Sequence, residues 1–467
     1  MFDQLVTKYG ENYALINDKG KKVKYANLDI LTNQLIEDIG KRSLVFFLCD
    51  NNIESLSGYF SFIKNDIVPL MLDSALDGDL LQGLIEKYHP EYIWSPTDKI
   101  NQFHNSNVIF SFNNYSFIRI EGNTSPRLND NLALLLSTSG STGSPKLVRI
   151  SYDNLEANAN SISKYLSIDK NERPITSLPM SYTFGLSIIN SHLIKGAVIL
   201  LTSKSLMKKE FWTFLKEEKA TSLSGVPYTF EMLKKLRFFN MSLEHLKTVT
   251  QAGGKMNDEL NYELSEFCDK RGINFFVMYG QTEASPRMSY LPPEYSLSKL
   301  GSMGIAIPGG EFFLIDDNGE EIIEDGVVGE LVYEGKNVSM GYAISKEDLI
   351  KGDENNGVLI TGDLAKRDAE GFYYIVGRKK RFIKIFGNRI NLDETEHLIK
   401  SLTPNVACTG IDDKMVIYIT DEELISKVKN FVVEKTKINQ MAFKVALIDS
   451  IPKNTSGKTI YSELPKI

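Results

Sequence analysis

The chain has 467 residues, of which 42% are hydrophobic and 24% charged, and carries a net charge of −7. This is the balance of an ordinary globular protein with enough apolar side chains for a large core, which excludes a disordered chain, a collagen-like fibre and a small disulfide scaffold. The acidic excess leaves no general basic footprint for nucleic acid, and at about 100–200 residues per domain the length accommodates about two to four domains.

Cys49, Cys268 and Cys408 lie far apart and form no CxxC pair, so the sequence predicts a reducing compartment and no zinc site. No apolar run approaches the ~20 residues of a membrane span. The first residues lack a basic stretch followed by an apolar one, as a secretory signal requires. The expectation is a cytoplasmic protein without a membrane span.

In chain order, residues 44–48, 131–136, 197–201 and 275–278 are short apolar runs suited to buried strands. Residues 154–166 repeat Leu155, Ala159, Ile162 and Leu166 at helical spacing, with Ser151 or Asp153 in position to cap. Strands alternating with amphipathic helices predict an α/β architecture with mainly parallel sheets. From about residue 310 to 374 the texture changes to Gly/Asp turns and alternating short strands, residues 319–323 among them, which reads as a β-rich region. After Gly377 comes the charged stretch Arg378-Lys379-Lys380-Arg381, then a mixture of strands and helices. A domain boundary is set there, giving residues 1–379 and 380–467.

The sharpest local feature is Thr138-Ser139-Gly140-Ser141-Thr142-Gly143, followed at the end of the same stretch by Lys146. Glycines admit close backbone approach, successive N–H groups form an anion nest, and a lysine adds a point charge, all suited to a polyphosphate. A P-loop does not fit. It requires G-x-x-x-x-G-K-[ST] and a helix directly after it, whereas Pro145 precedes Lys146 and residues 147–150 read as a strand. Gly457-Lys458-Thr459 fails as well, with Pro452 five positions before Gly457. Taken alone, the stretch also reads as a surface turn of small polar residues.

The loop resembles the phosphate-binding signature of the adenylate-forming superfamily, which includes acyl-CoA synthetases, peptide-synthetase adenylation domains and beetle luciferases. Later segments resemble that family's motifs in the same order: Tyr279-Gly280-Gln281-Thr282-Glu283, Thr361-Gly362-Asp363, Gly377-Arg378, residues 384–394, and the segment from Pro452 to Lys458. Weaker similarities at residues 24–28 and 68–70, at Gly329-Glu330-Leu331 and at Gly341-Tyr342 extend the likeness over nearly the whole chain. The resemblance implies a large N-terminal region of α/β subdomains with a β-rich, barrel-like subdomain, and a small mobile α+β lid. It implies ATP-dependent formation of an acyl-adenylate with release of pyrophosphate, then transfer of the acyl group to a thiol. ATP and Mg²⁺ are the implied cofactors, with CoA or a carrier-protein phosphopantetheine as acceptor.

Residue by residue, the resemblance implies that Lys458 bridges the substrate carboxylate and the α-phosphate. Thr282 and Glu283 sit at that phosphate, with Glu283 as the magnesium ligand. Tyr279 stacks on adenine and Gly280 belongs to the same nucleotide site; Asp363 binds the ribose, and Arg378 reaches the nucleotide sugar or phosphate. Lys380 is the hinge, and Gly387 lines the acceptor channel. The first half-reaction needs charge neutralisation rather than a general base, because the carboxylate nucleophile is already ionised at neutral pH.

For the acid itself, Tyr182, Phe184, Gly185, Gly253, Gly254 and Gln281 are the expected pocket residues. Tyr182 stands where acyl-CoA synthetases of the family carry histidine. No acidic residue occurs between 179 and 192 to pair with a substrate ammonium, and an unpaired buried charge is costly. An uncharged acyl, hydroxy-acyl or aryl acid is therefore expected rather than an α-amino acid. Residues 406–418 run shorter than in relatives, and Tyr461 replaces a common basic residue. The acceptor is thus open between CoA, a carrier protein and an amine. A degenerate, non-enzymatic adenylate-binding protein is the alternative of another class, opposed by the intact Glu283, Asp363, Arg378 and Lys458.

Overall fold

The computed structural model describes residues 4–39, 42–137, 146–385, 388–411, 413–436, 438–454 and 457–465. Strand Leu44–Cys49 is buried along its length and lies inside an eight-stranded sheet. It pairs in parallel with Val68–Asp73 on one side and Tyr92–Pro96 on the other, and Val68–Asp73 pairs in parallel with Leu132–Ser137. Strands buried on both faces read as continuous apolar runs, which is why these were visible in the sequence. The outer pairings are antiparallel, so the sheet is mixed, with parallel strands confined to its centre. Helix Ile53–Lys64 covers one face, capped by Asn52, whose side chain accepts from the Ser55 N–H at 2.8 Å. A Cβ at Gly58 on this helix would stand 2.7 Å from Trp94 Nε1, so glycine sets how closely helix and sheet approach.

A second sheet has Ser222–Gly225, Thr248–Gln251 and Asn274–Tyr279 in parallel, continued by two short antiparallel strands, Ser289–Tyr290 and Ile305–Ala306. The expected helix spans Tyr152–Tyr165. Its cap is Ser151, in a reciprocal box: the Asn154 N–H donates to Ser151 Oγ and the Ser151 N–H to Asn154 Oδ1. Helix Thr183–Leu193 is buried on every side.

The β-rich region is a four-stranded antiparallel sheet ordered Gly310–Ile315, Gly329–Gly335, Val358–Arg367, Tyr373–Arg378. It is open rather than closed into a barrel. The strand expected at residues 319–323 is reduced to one bridge between Ile315 and Glu321. Asp316 Oδ1 accepts from the N–H groups of Asn318 and Glu320, and Gly319 takes φ of 85°, so the chain turns where alternation suggested extension.

Beyond the turn Lys379–Arg381, residues build a separate apolar cluster that includes Ile383, Leu392, Ile399, Cys408, Ile417 and Val428. Its frame is a three-stranded sheet, Val406–Ile411, Lys414–Ile419 and Phe443–Leu447, with helices Leu392–Ile399 and Ile425–Thr436. Among the described residues no helix is long and apolar enough to cross a membrane.

Candidate active site

Strand Asn274–Tyr279 of the second sheet ends on Tyr279, and Gly280 follows it. A Cβ at Gly280 would lie 1.5 Å from the Pro286 carbonyl oxygen, so no side chain fits there. The Tyr279 hydroxyl donates to Asp363 Oδ2 at 2.5 Å. Asp363 stands on strand Val358–Arg367 opposite Arg378, whose Nε is 3.7 Å from Asp363 Oδ1. Burial raises the pKa of Asp363, while Tyr279, Arg378 and Gln281 act to lower it.

The Gln281 amide, expected at the acid, donates to Asp363 Oδ2 at 2.8 Å, to the Thr361 carbonyl at 3.0 Å and to the Tyr279 hydroxyl at 3.1 Å. A buried carboxylate recruits the nearest donors.

Thr282 and Glu283 occupy the short turn Thr282–Ala284. The Ser339 N–H donates to the Glu283 carbonyl at 2.8 Å and fixes the backbone. Tyr342 donates its hydroxyl to Glu283 Oε1 at 2.6 Å, and Lys146 Nζ lies 5.3 Å from the centre of the same ring. Tyr342 thus connects the lysine after the glycine-rich stretch to the acidic residue. The sequence offered Tyr342 only as a faint similarity beside Gly341, without a role. Thr138 to Gly143 and Gly387 lie outside the described residues. Lys380 falls in the turn Lys379–Arg381, its side chain outside the described ones.

Lys458 reaches this cleft from the other end of the chain. Its loop is a tight hairpin: Lys453 bridges Thr459, the Asn454 N–H donates to the Lys458 carbonyl, and the Lys458 N–H donates to Asn454 Oδ1 at 2.9 Å. Gly457 takes φ of 76°, and a Cβ there would meet Tyr228 Cβ at 2.7 Å. The loop is therefore seated against helix Pro227–Lys235 of the larger region. The Lys458 ammonium feels burial first, then repulsion from Arg378, against attraction from Asp363 and Glu283, with the net effect of lowering its pKa. Those four side chains, from three distant stretches, share one electrostatic neighbourhood.

Two further contacts join the C-terminal part to the rest. His397 Nε2 lies 3.4 Å from Asp258 Oδ2, and the Arg378 N–H donates to Asp393 Oδ2 at 3.2 Å. Tyr461 stacks on Arg381, with its ring centre 3.8 Å from the guanidinium carbon, and donates to Glu396 at 2.8 Å.

On the acid side, Tyr182 and Phe184 meet edge to face at 6.4 Å, at the start of helix Thr183–Leu193. Gly253 has φ of 87°, and a Cβ on it would be 2.7 Å from the Tyr182 hydroxyl and 3.1 Å from Val226 Cγ1. Gly254 is less constrained, its nearest atom being Pro227 Cγ at 3.4 Å. Gly185 cannot carry a side chain, since its Cβ would lie 2.1 Å from the Pro179 carbonyl oxygen. Phe184 is buried with Leu178, Ile188, Val226, Ala252, Phe276 and Met278. Sequence reasoning missed Arg287, whose guanidinium lies 4.8 Å from the Phe184 ring centre.

The AMP-binding enzyme family matches residues 2–343. The 2-succinylbenzoate–CoA ligase of Bacillus subtilis (strain 168) is 28% identical over 345 residues, covering 72% of this chain and 69% of that protein. Among solved structures, O-succinylbenzoate Coenzyme A synthetase (MenE) from Bacillus subtilis in complex with AMP superposes with a TM-score of 0.82 at 22% identity, over 100% of this chain and 98% of the other. The unliganded form of the same synthetase gives 0.67 at 22% identity, over 99% and 97%.

Proposed function

Since the chain belongs to the AMP-binding enzyme family, we propose that it activates a carboxylic acid with ATP and passes the acyl group to the thiol of CoA. The acid attacks the α-phosphate, giving acyl-AMP and pyrophosphate; the thiol then displaces AMP. The observation that carries this reading is the convergence of Lys458 with Arg378, Asp363 and Glu283.

Two anions must meet at one phosphorus, so positioning and charge stabilisation do most of the work. Lys458 supplies a cation between the attacking carboxylate and the α-phosphate. Asp363, held by Tyr279 and Gln281, accepts the two ribose hydroxyls, and Arg378 completes that side. Tyr279, its hydroxyl committed to Asp363, leaves its ring face for adenine. Thr282 adds a hydroxyl at the α-phosphate, and the stretch from Thr138 to Gly143, with Lys146, takes the outer phosphates.

Glu283 suits magnesium, which takes one or two carboxylates together with phosphate oxygens and water. Tyr342 fixes the carboxylate through Oε1, leaving Oε2 to face the phosphates. When bound, the ion draws negative charge from the phosphate oxygens.

Residues 1–379 form the core and residues 380–467 a lid that turns at Lys380 between the half-reactions, opening a channel beside Gly387. The acceptor is CoA, the thiol named for the relatives, rather than a carrier protein or an amine, and the enzyme works in the cytoplasm. The test is product analysis with a panel of acids, with and without CoA, holo carrier protein and amines. AMP, pyrophosphate and an acyl-CoA are expected. ADP as the nucleotide product, or thioester formation only on carrier protein, would overturn the reading or its acceptor respectively.

A further inference from the structure

The loop that carries Lys458 is held at two points. Its tip, Gly457, sits against Tyr228 of the larger region. Its root is closed by the Ile460 N–H, which donates to the Pro452 carbonyl at 2.8 Å, and the next residue in the chain is Tyr461. The Tyr461 ring packs with buried Val416, Tyr418, Ile451 and Leu464. Its hydroxyl donates to Glu396 Oε2 at 2.8 Å, and Arg381 lies over the ring with its guanidinium carbon 3.8 Å from the centre.

Arg381 comes from the turn Lys379–Arg381, at the opposite end of the C-terminal part of the chain. All three of its side-chain nitrogens donate: Nε to Asp393 Oδ1 at 2.6 Å, Nη1 to the Cys408 carbonyl at 3.1 Å and Nη2 to Glu396 Oε1 at 2.6 Å. Glu396 is 5% exposed and accepts from the Cys408 N–H at 2.7 Å as well, so both oxygens of this buried carboxylate are engaged. Asp393 in turn accepts from the Arg378 N–H at 3.2 Å. A continuous path of charge-assisted bonds thus runs from Arg378 through Asp393, Arg381 and Glu396 to Tyr461, at the root of the lysine loop. A guanidinium held between carboxylates and an aromatic face is a stiff joint, because the planar fork and the ring fix orientation as well as distance. A basic residue is common at 461 in the family; in this chain the cation at that point comes from Arg381, on another element.

The tip contact alone would let the loop pivot about Gly457. In a reaction that works by positioning, a misplacement of about 1 Å costs about a hundredfold. We infer that Tyr461 is a positioning residue for Lys458: its hydroxyl on Glu396 and its ring under Arg381 tie the root of the lysine loop to the turn beside Arg378, so that the ammonium meets the nucleotide in register. The inference rests on the adenylation reading above and extends it from the lysine to the side chains that aim it.

The test is acid-dependent ATP–pyrophosphate exchange by the full chain, run with the acid that gives the unaltered chain its fastest rate in the panel above. Tyr461→Leu should lower kcat by about 10- to 100-fold, with the KM for ATP within about twofold of the unaltered value. Tyr461→Phe keeps the stacked ring and should lose about threefold to tenfold. In a Lys458→Ala background the Tyr461→Leu change should cost nothing further, since its effect passes through the missing ammonium. Acyl transfer from supplied acyl-adenylate to CoA, measured on the same preparations, should stay within about twofold and reports that the protein is folded. Undiminished exchange in Tyr461→Leu, the same fractional loss with and without Lys458, or an equal loss in both half-reactions would overturn the inference alone. Absence of exchange by the unaltered chain with every acid would overturn the adenylation reading and this inference with it.

Discussion

In the proposed reaction a single ammonium carries much of the chemistry. Burial and Arg378 make Lys458 release its proton more readily than an exposed lysine, while Asp363 and Glu283 restrain that release. A base with a lowered pKa loses its positive form as pH rises, earlier than usual. The kcat/KM for exchange, which reports the free enzyme, should therefore fall on the alkaline side at a pH below the ordinary lysine range. Lys458→Arg keeps a charge that does not titrate there, so its profile should lack that limb even though the rate is lower. An alkaline limb unchanged in Lys458→Arg would assign the titration elsewhere. Lys458→Ala should lose about a hundredfold to a thousandfold in exchange, with ATP binding measured by calorimetry little altered. At this scale the sequence was most legible where a motif fixes a residue by spacing, as for Glu283, Asp363 and Lys458. It was least legible where burial decides. Gln281 donates to the buried Asp363 carboxylate, a partner 82 residues away that spacing does not reveal, and nothing in the string marks Arg287 as enclosed.

Elements position these residues by close approach, and glycines decide how close. Gly253 ends the turn after strand Thr248–Gln251 with a positive φ and abuts the Tyr182 hydroxyl. Gly253→Ala carries two burdens, a conformation costing about 1–2 kcal/mol for an L side chain and a steric clash with Tyr182. Tyr182→Phe removes only the clashing oxygen. In a double-mutant cycle, thermal unfolding of the pair should recover the steric part of the loss and leave the conformational part; strict additivity would refute the contact. Elements made of buried apolar runs were readable in advance, as was helix Tyr152–Tyr165. Residues 319–323 were misread because Asp316 and Gly319 impose a turn that alternation of side chains does not reveal. The mixed direction of the large sheet was equally hidden, since antiparallel pairing at the flanks of a sheet leaves no mark in composition.

For the whole molecule, the decisive relation is between the core and the region beyond Lys379. Asp258 and His397 meet across it, and that contact is the largest influence lowering the Asp258 pKa. Half-exposed pairs of this kind contribute little, about 0.2–1 kcal/mol. Asp258→Asn should accordingly cut exchange only by about twofold to fivefold, while leaving acyl transfer from supplied acyl-adenylate to CoA equal or faster. Equal losses in both halves, measured separately by stopped-flow, would mean that the pair does not bias the two arrangements. The charged stretch after Gly377 is the sequence's mark for a boundary; how the residues beyond it dock was not legible, because that depends on surfaces that only folding creates.

Gly457 presses flat against Tyr228 with no space for a side chain. A residue with bulk there becomes a wedge under the latch. Gly457→Val should leave a chain unable to make its own mixed anhydride yet able to pass on one made by the chemist, half an enzyme stalled with its door ajar. If such a chain still generates pyrophosphate at the native rate, the seat on Tyr228 is decoration; if it does not, one methine and two methyls suffice to separate the cycle into its two parts.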